Sequence, residues 1–184
     1  MEIEKGELYN GINAAVLFAK GGNRYLECVF FECKDERLNI VGTNGKCLSV
    51  LSAPCSGQDI EFAISLDDAK KILKAIDISP DDKIEIQVNE SIVKVLGFSF
   101  DALDVSIPSW REVMPEYNDT PVKERGLNPF FIQDAIKAFQ LKRSMFNGRE
   151  VPSFHVYADS ALSPIKILCR AISNLTLVIM PIKI

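Results

Sequence analysis

The residues able to do chemistry are few in this chain, and their spacing points away from a reaction. His155 is the single histidine, set in a strand pattern between Phe154 and Val156. A lone histidine there reads as structural rather than as a base or a metal ligand, which would need partners at matching spacing. Asp67/Asp68 and Asp81/Asp82 are adjacent carboxylate pairs, but they fall at a helix start and a turn, where capping of backbone N–H groups explains them. Gly21-Gly22 reads as a turn and lacks the phosphate-loop pattern. The five cysteines, Cys28, Cys33, Cys47, Cys55 and Cys169, form no CxxC pair. Their odd number and irregular spacing fit neither a disulfide framework nor a zinc site, so buried free thiols in a reducing compartment are expected. No cofactor or metal is expected, and an enzyme is the least supported class.

Basic side chains are the remaining candidates. The formal charge is −4, so contact with a polyanion must come from local patches. Lys70, Lys71 and Lys74 lie off the apolar stripe of one helical pattern, and Lys137, Lys142, Arg143 and Arg149 lie on or after another. By themselves such residues read as a solvated face. The first helical pattern carries only Lys20 near its end.

The elements that position these residues alternate between short helices and strands. With 184 residues and 47% hydrophobic side chains, the chain has ample material for a core. No apolar run approaches the roughly 20 residues of a membrane span, and the charged start is unlike a signal peptide. A soluble, cytoplasmic protein without membrane contact is expected. Helices are predicted over Glu7–Lys20, Leu66–Ile76 (capped by Ser65) and Pro129–Leu141 (capped by Asn128). Strands are predicted over Tyr25–Cys33, Arg37–Thr43, Cys47–Ser52, Ile60–Ile64, Lys83–Val88, Ile92–Phe98, Ser99–Val105, Phe154–Ala158, Ile165–Cys169 and Leu175–Ile182. The helices recur at a spacing of roughly 60 residues, an internal repeat of helix-then-strands units. Asp68-Ala69-Lys70-Lys71 and Asp134-Ala135-Ile136-Lys137 echo one another near two of the helix starts. The stretch Ile107–Gly126 lacks periodicity, carries Pro108, Pro115 and Pro121, and reads as connecting chain.

Three segments carry a family resemblance. Asn39–Val50 (NIVGTNGKCLSV) resembles the sliding-clamp segment A-T-D-G-H-R-L-A. Val105–Pro115 (VSIPSWREVMP) resembles its F-P-x-[FY]-x-x-V-[LM]-P segment, and Leu177–Ile184 (LVIMPIKI) resembles its ending V-V-M-P-M-R-L. In this order they resemble the bacterial DNA polymerase III beta subunit, the DNA sliding clamp, in a shortened form. The resemblance implies an α+β DNA-clamp (processivity) fold of repeated helix-plus-antiparallel-strands units. Residues 1–115 would form one full clamp domain like the family's middle domain. Residues 116–125 would be a linker, and 126–184 a half domain carrying the family's C-terminal ending. Family subunits hold three two-unit domains, and two subunits close a ring around duplex DNA; here four chains could supply the same twelve units.

The resemblance also implies a site without catalysis. In the family the three segments converge on an apolar groove that accepts a short Leu/Phe-bearing peptide from polymerases and other partners. By matched position the groove would be lined by Leu26, Thr43, Gly45, Lys46, Leu48, Pro108, Val113, Val178, Met180, Pro181 and Ile182. From spacing alone the same residues read as ordinary core. Cys47 replaces a family arginine, and Glu112 stands where a basic residue is common. The resemblance implies a processivity factor for DNA replication whose Lys70, Lys71, Lys74, Lys137, Lys142, Arg143 and Arg149 contact duplex DNA phosphates without reading bases, with a DNA polymerase or other clamp-binding peptides and further copies of itself as its other partners. The half domain would expose a sheet edge and an apolar helix face, so a dimer through it is expected. The alternative is a peptide-binding module or decoy that does not encircle DNA.

Overall fold

The computed structural model describes residues 1–21, 24–115, 127–140, 154–158 and 163–181, with the side chains of Arg24 and Ala171 excepted. The expected linker, residues 116–125, lies outside them. Among the described residues three helices, α1 (Lys5–Phe18), α2 (Leu66–Ile78) and α3 (Pro129–Ala138), back two antiparallel sheets. The larger sheet has the order β5-β2-β3-β4-β11-β10-β9, with β2 Cys28–Lys34, β3 Arg37–Thr43, β4 Cys47–Pro54, β5 Ile60–Ser65, β9 Phe154–Tyr157, β10 Ile165–Cys169 and β11 Leu175–Ile179. The smaller has the order β1-β6-β7-β8, with β1 Glu2–Glu4, β6 Lys83–Asn89, β7 Ile92–Val95 and β8 Phe98–Asp101. This is the expected α+β arrangement of repeated units: a helix followed by three strands, three times over.

The first two units exchange their leading strands. β1, which runs straight into α1, pairs with β6 of the second unit, and β5, which runs into α2, pairs with β2 of the first. The three residues of β1 are too short to show a period, and sequence reading missed them. The third unit joins differently: its last strand β11 pairs with β4, the last strand of the first unit, through Leu175↔Leu51 to Ile179↔Cys47.

Local chemistry explains the boundaries. Ser65 Oγ accepts the Asp68 N–H at 3.1 Å and Asn128 Oδ1 accepts the Phe130 N–H at 3.0 Å, so both predicted caps hold. α1 begins and ends two residues earlier than its apolar spacing predicts. Residues 24–26 form a 3-10 turn rather than the start of β2. The strand predicted to run through Ile92–Phe98 breaks at Leu96-Gly97, where φ of +49° and +79° makes a tight turn. β11 ends at Ile179 rather than at the predicted Ile182, which lies outside the described residues.

Burial separates the sheets. The first six residues of β2 are buried, because both of its faces are covered, whereas β6 alternates buried and exposed. The helices cover the inner face, with Leu8, Ile12, Phe18, Ile40, Leu51 and Ile64 at its centre. α1 sits close to β3 because Gly42 faces the Ala15 backbone, where a Cβ would meet Cα at 2.4 Å. On the outer face, the segment after β8 lies across the sheet: Trp110 joins the cluster of Cys28, Phe30, Val41, Leu48, Val50, Ala63 and Val178, with Val105, Ile107 and Met114 against it. The five cysteines are all free and buried.

Candidate functional site: an apolar groove at the β4–β11 seam

The groove begins with a hairpin loop. Between β3 and β4 the chain turns through Asn44-Gly45-Lys46, with Gly45 at φ +82°. Asn44 Oδ1 accepts the N–H groups of Lys46 and Cys47, each at 3.0 Å, and Thr43 Oγ1 donates to the Cys47 carbonyl at 2.7 Å. Such side-chain bonds fix the loop without strand pairing. The seam then ties the loop to the third unit: Val178 stands opposite Leu48, and the Met180 N–H donates to the Lys46 carbonyl at 2.9 Å.

A second wall comes from the outer segment. Pro108 precedes a 3-10 turn over Trp110–Val113, which carries Trp110 and Val113 to the same place. Together with Leu26 these elements enclose a cavity of about 270 Å³ lined by Leu26, Thr43, Gly45, Lys46, Cys47, Leu48, Pro108, Ser109, Trp110, Val113, Val178 and Met180. Its floor is buried Leu48 and Val178, while Met180 and Val113 are 41% and 45% exposed at its lip. Exposed apolar lip over an apolar floor is a surface that gains by covering.

Nine of the eleven groove residues expected from sequence line this cavity. Pro181 lies beyond it, partly buried, and Ile182 is outside the described residues. Sequence reading missed Ser109 and Trp110 as lining residues and marked Cys47 only as a departure from the family pattern. Trp110 was legible in principle: it is the only tryptophan and falls inside a quoted motif. Cys47 is inert as a nucleophile, since burial pushes its thiol up to about 12, with Asp134 adding to the rise.

The outer segment is fastened by one ion pair. Arg111 donates Nη1 to Glu32 Oε1 at 2.9 Å and Nη2 to Glu32 Oε2 at 2.6 Å. Asn39 Nδ2 donates to Glu32 Oε2 at 3.0 Å, and Ser52 Oγ donates to Asn39 Oδ1. The Arg111 hydrogen bonds hold the Glu32 carboxyl below its ordinary value. Nothing in the strand pattern announced a buried Glu32.

The expected DNA-facing lysines are largely compensated. Lys70 pairs with Asp67 at 2.8 Å, Lys71 with Asp68 at 2.7 Å and Lys137 with Asp134 at 3.4 Å, all at i,i+3. Lys74 is exposed and forms no ion pair among the described residues. Lys142, Arg143 and Arg149 lie outside the described residues. His155 sits on β9, opposite Leu168 of β10. Among the described residues no cluster of His, Cys, Asp and Glu is placed to hold a metal ion, and no helix is long and apolar enough to cross a membrane.

Exchanged leading strands, helices on one side and continuous antiparallel sheets on the other define the DNA sliding-clamp fold. No protein-family model and no curated protein matches the sequence. Solved structures do. The DNA polymerase III beta subunit from Thermotoga maritima superposes with a TM-score of 0.81 at 16% identity, over 100% of this chain and 65% of that one. The DNA polymerase sliding clamp from Pseudomonas aeruginosa gives 0.80 at 12% identity, over 100% and 66%. A beta subunit structure from Caulobacter crescentus gives 0.79 at 11%, over 100% and 65%. The chain thus has the fold of these proteins and spans about two thirds of their length.

Proposed function

We propose that this chain is a clamp-like, non-catalytic scaffold for DNA replication that recruits partners by gripping a short peptide in the β4–β11 groove. The observation that carries this reading is the groove: three separately anchored walls meet around an apolar cavity of about 270 Å³. That volume suits one or two bulky apolar side chains, each contributing roughly 1.5–3 kcal/mol on burial. Leu and Phe anchors of a DNA polymerase or another clamp-binding partner fit this chemistry, and neither a metal nor a titrating group is required. Because Trp110 is the only tryptophan and lines the groove, its fluorescence reports occupancy. Titration with a Leu/Phe-bearing peptide should shift that emission saturably. An unchanged spectrum with no binding by calorimetry would overturn the reading.

Assembly belongs to the same proposal. In the first two units the strand following the helix receives the other unit's leading strand on its outer edge. β9 holds the equivalent place in the third unit, and its outer edge has no strand partner among the described residues. Phe130, Ile136 and Val156 of that unit are 70%, 40% and 50% exposed. A second copy covering this unit by its own third unit makes a two-fold dimer. Duplex DNA would be contacted non-specifically by the helix lysines Lys70, Lys71, Lys74 and Lys137, in a cytoplasmic protein.

One observation favours the second reading, a peptide-binding module that does not encircle DNA. α2 carries Lys70, Lys71 and Lys74 against Asp67, Asp68 and Asp77, so its charges cancel. Retention on nicked circular DNA, lost on linearisation, separates the two: an encircling clamp shows it, and a groove module does not.

A further inference from the structure

We propose that Glu32 and Arg111 are positioning residues for the groove: their ion pair sets the orientation of the Trp110–Val113 wall. The inference rests on the peptide-groove reading and adds what controls it. The outer segment meets the sheet mainly through Val105, Ile107, Trp110 and Met114. Apolar contact of this kind is non-directional and leaves the segment free to slide or roll.

Direction must come from polar bonds: the Leu103 N–H donates to the Ala63 carbonyl at 2.8 Å where the segment begins, and Arg111 supplies them at the turn itself. Trp110 Nε1–H is buried with no hydrogen-bond partner, so no such bond fixes the indole plane. Its ring is instead capped by the Arg111 guanidinium, 4.1 Å from the centroid. That guanidinium is held in a two-bonded fork by Glu32, the geometry that fixes both distance and plane. Glu32 is in turn held on a polar row across the sheet, through Asn39 of β3 and Ser52 of β4. A chain of defined bonds therefore runs from β4 to the indole. Glu32 is itself no part of the groove lining, so changing it removes no lining side chain.

Glu32→Gln tests the idea, since it keeps the shape and removes the charge. Three readouts are needed: acrylamide quenching of Trp110 emission, affinity for a synthetic Leu/Phe-bearing peptide, and the thermal midpoint with far-UV circular dichroism. The expected result is stronger quenching and about tenfold weaker peptide binding by a chain that remains folded at the assay temperature. Arg111→Lys, which removes the fork and the planar cap, should do the same, and the double variant should add little to either single change. Unchanged quenching, or altered quenching with unchanged peptide affinity, overturns the proposal. If the unsubstituted chain fails to bind peptide, the groove reading falls, and the quenching of the variants alone then decides whether the pair seats the wall.

Discussion

The two halves of the large sheet are built from the same unit, yet they are finished differently. In the first half, β2-β3-β4 is closed on one edge by β5 and on the other by β11, and both faces are covered. In the second, β11-β10-β9 shares the seam with β4 but ends at β9, whose outer edge has no strand partner among the described residues, and Phe130, Ile136 and Val156 of the same unit are exposed. On the proposed reading the difference separates two tasks. Cover on both faces and pairing at the seam place the groove beside the first half, since a site holds its geometry only when its walls are held. The unfinished half offers backbone groups and apolar surface, the materials of association rather than of recognition.

The largest test of this contrast is a charge on the open edge. Val156→Lys should convert a dimer to a single-chain species in light scattering at micromolar concentration, because a lysine on an edge strand opposes pairing. Stability of the separate chain should change by no more than about 0.5 kcal/mol, as expected for an exposed position. A monodisperse monomer before substitution would remove the assembly half of the comparison.

Next comes the finished half. A Cβ on residue 42 would lie 2.4 Å from both the Cα and the carbonyl oxygen of Ala15, backbone atoms that cannot rotate aside. Gly42→Ala should therefore lift α1 from β3 and cost about 3 kcal/mol, the upper part of the overpacking range. The check is the urea midpoint. A loss below about 1 kcal/mol, within the lower end of that range, would mean that α1 and the sheet yield easily and that this half is not the rigid one.

Legibility in the sequence follows the same divide. Units, caps and most strand positions were readable because α2 and β6 present their period to a single covered face, while the doubly covered β2, β3 and β4 are short runs rich in β-branched and aromatic residues bounded by turn residues. The quoted motifs hold eight of the nine expected residues that line the cavity, all but Leu26, since those lie on short local segments. What escaped depends on partners far away in the chain. β1 acquires its role only by pairing with β6, and Glu32 is buried only because Arg111, 79 residues on, returns to meet it. Trp110 was hidden for a related reason: its side chain serves the outer core and the groove at once.

Acid should expose the Glu32–Arg111 pair with a smaller effect. The folded-state carboxyl lies below the ordinary value of 4.5, chiefly through the Arg111 hydrogen bonds. A depressed carboxylate gives stability that is fully present above the unfolded value and is lost as pH falls through the folded one. Chain stability should therefore drop on acidification below about pH 4.5, and part of that drop should be absent in Glu32→Gln. Equal slopes for the two proteins would show that the pair contributes nothing, and would leave apolar contact alone holding the groove wall.

The smallest expected effects are on the helices, where the same contrast can be sharpened between α2 and α3. Lys74 has no ion-pair partner among the described residues, whereas Lys137 is paired with Asp134 at 3.4 Å and is 53% exposed. If both lysines meet phosphate, each should take up to about one unit from the slope of log affinity against log salt. Lys74→Ala should take most of that unit. Lys137→Ala should take less, because Asp134 already neutralises much of its charge, although an exposed pair is worth only about 0.2–1 kcal/mol. Fluorescence anisotropy with a labelled duplex across a salt series resolves differences of this size. Equal slopes for both variants and the unsubstituted chain would remove the helices from the DNA-binding surface and leave the groove as the functional face.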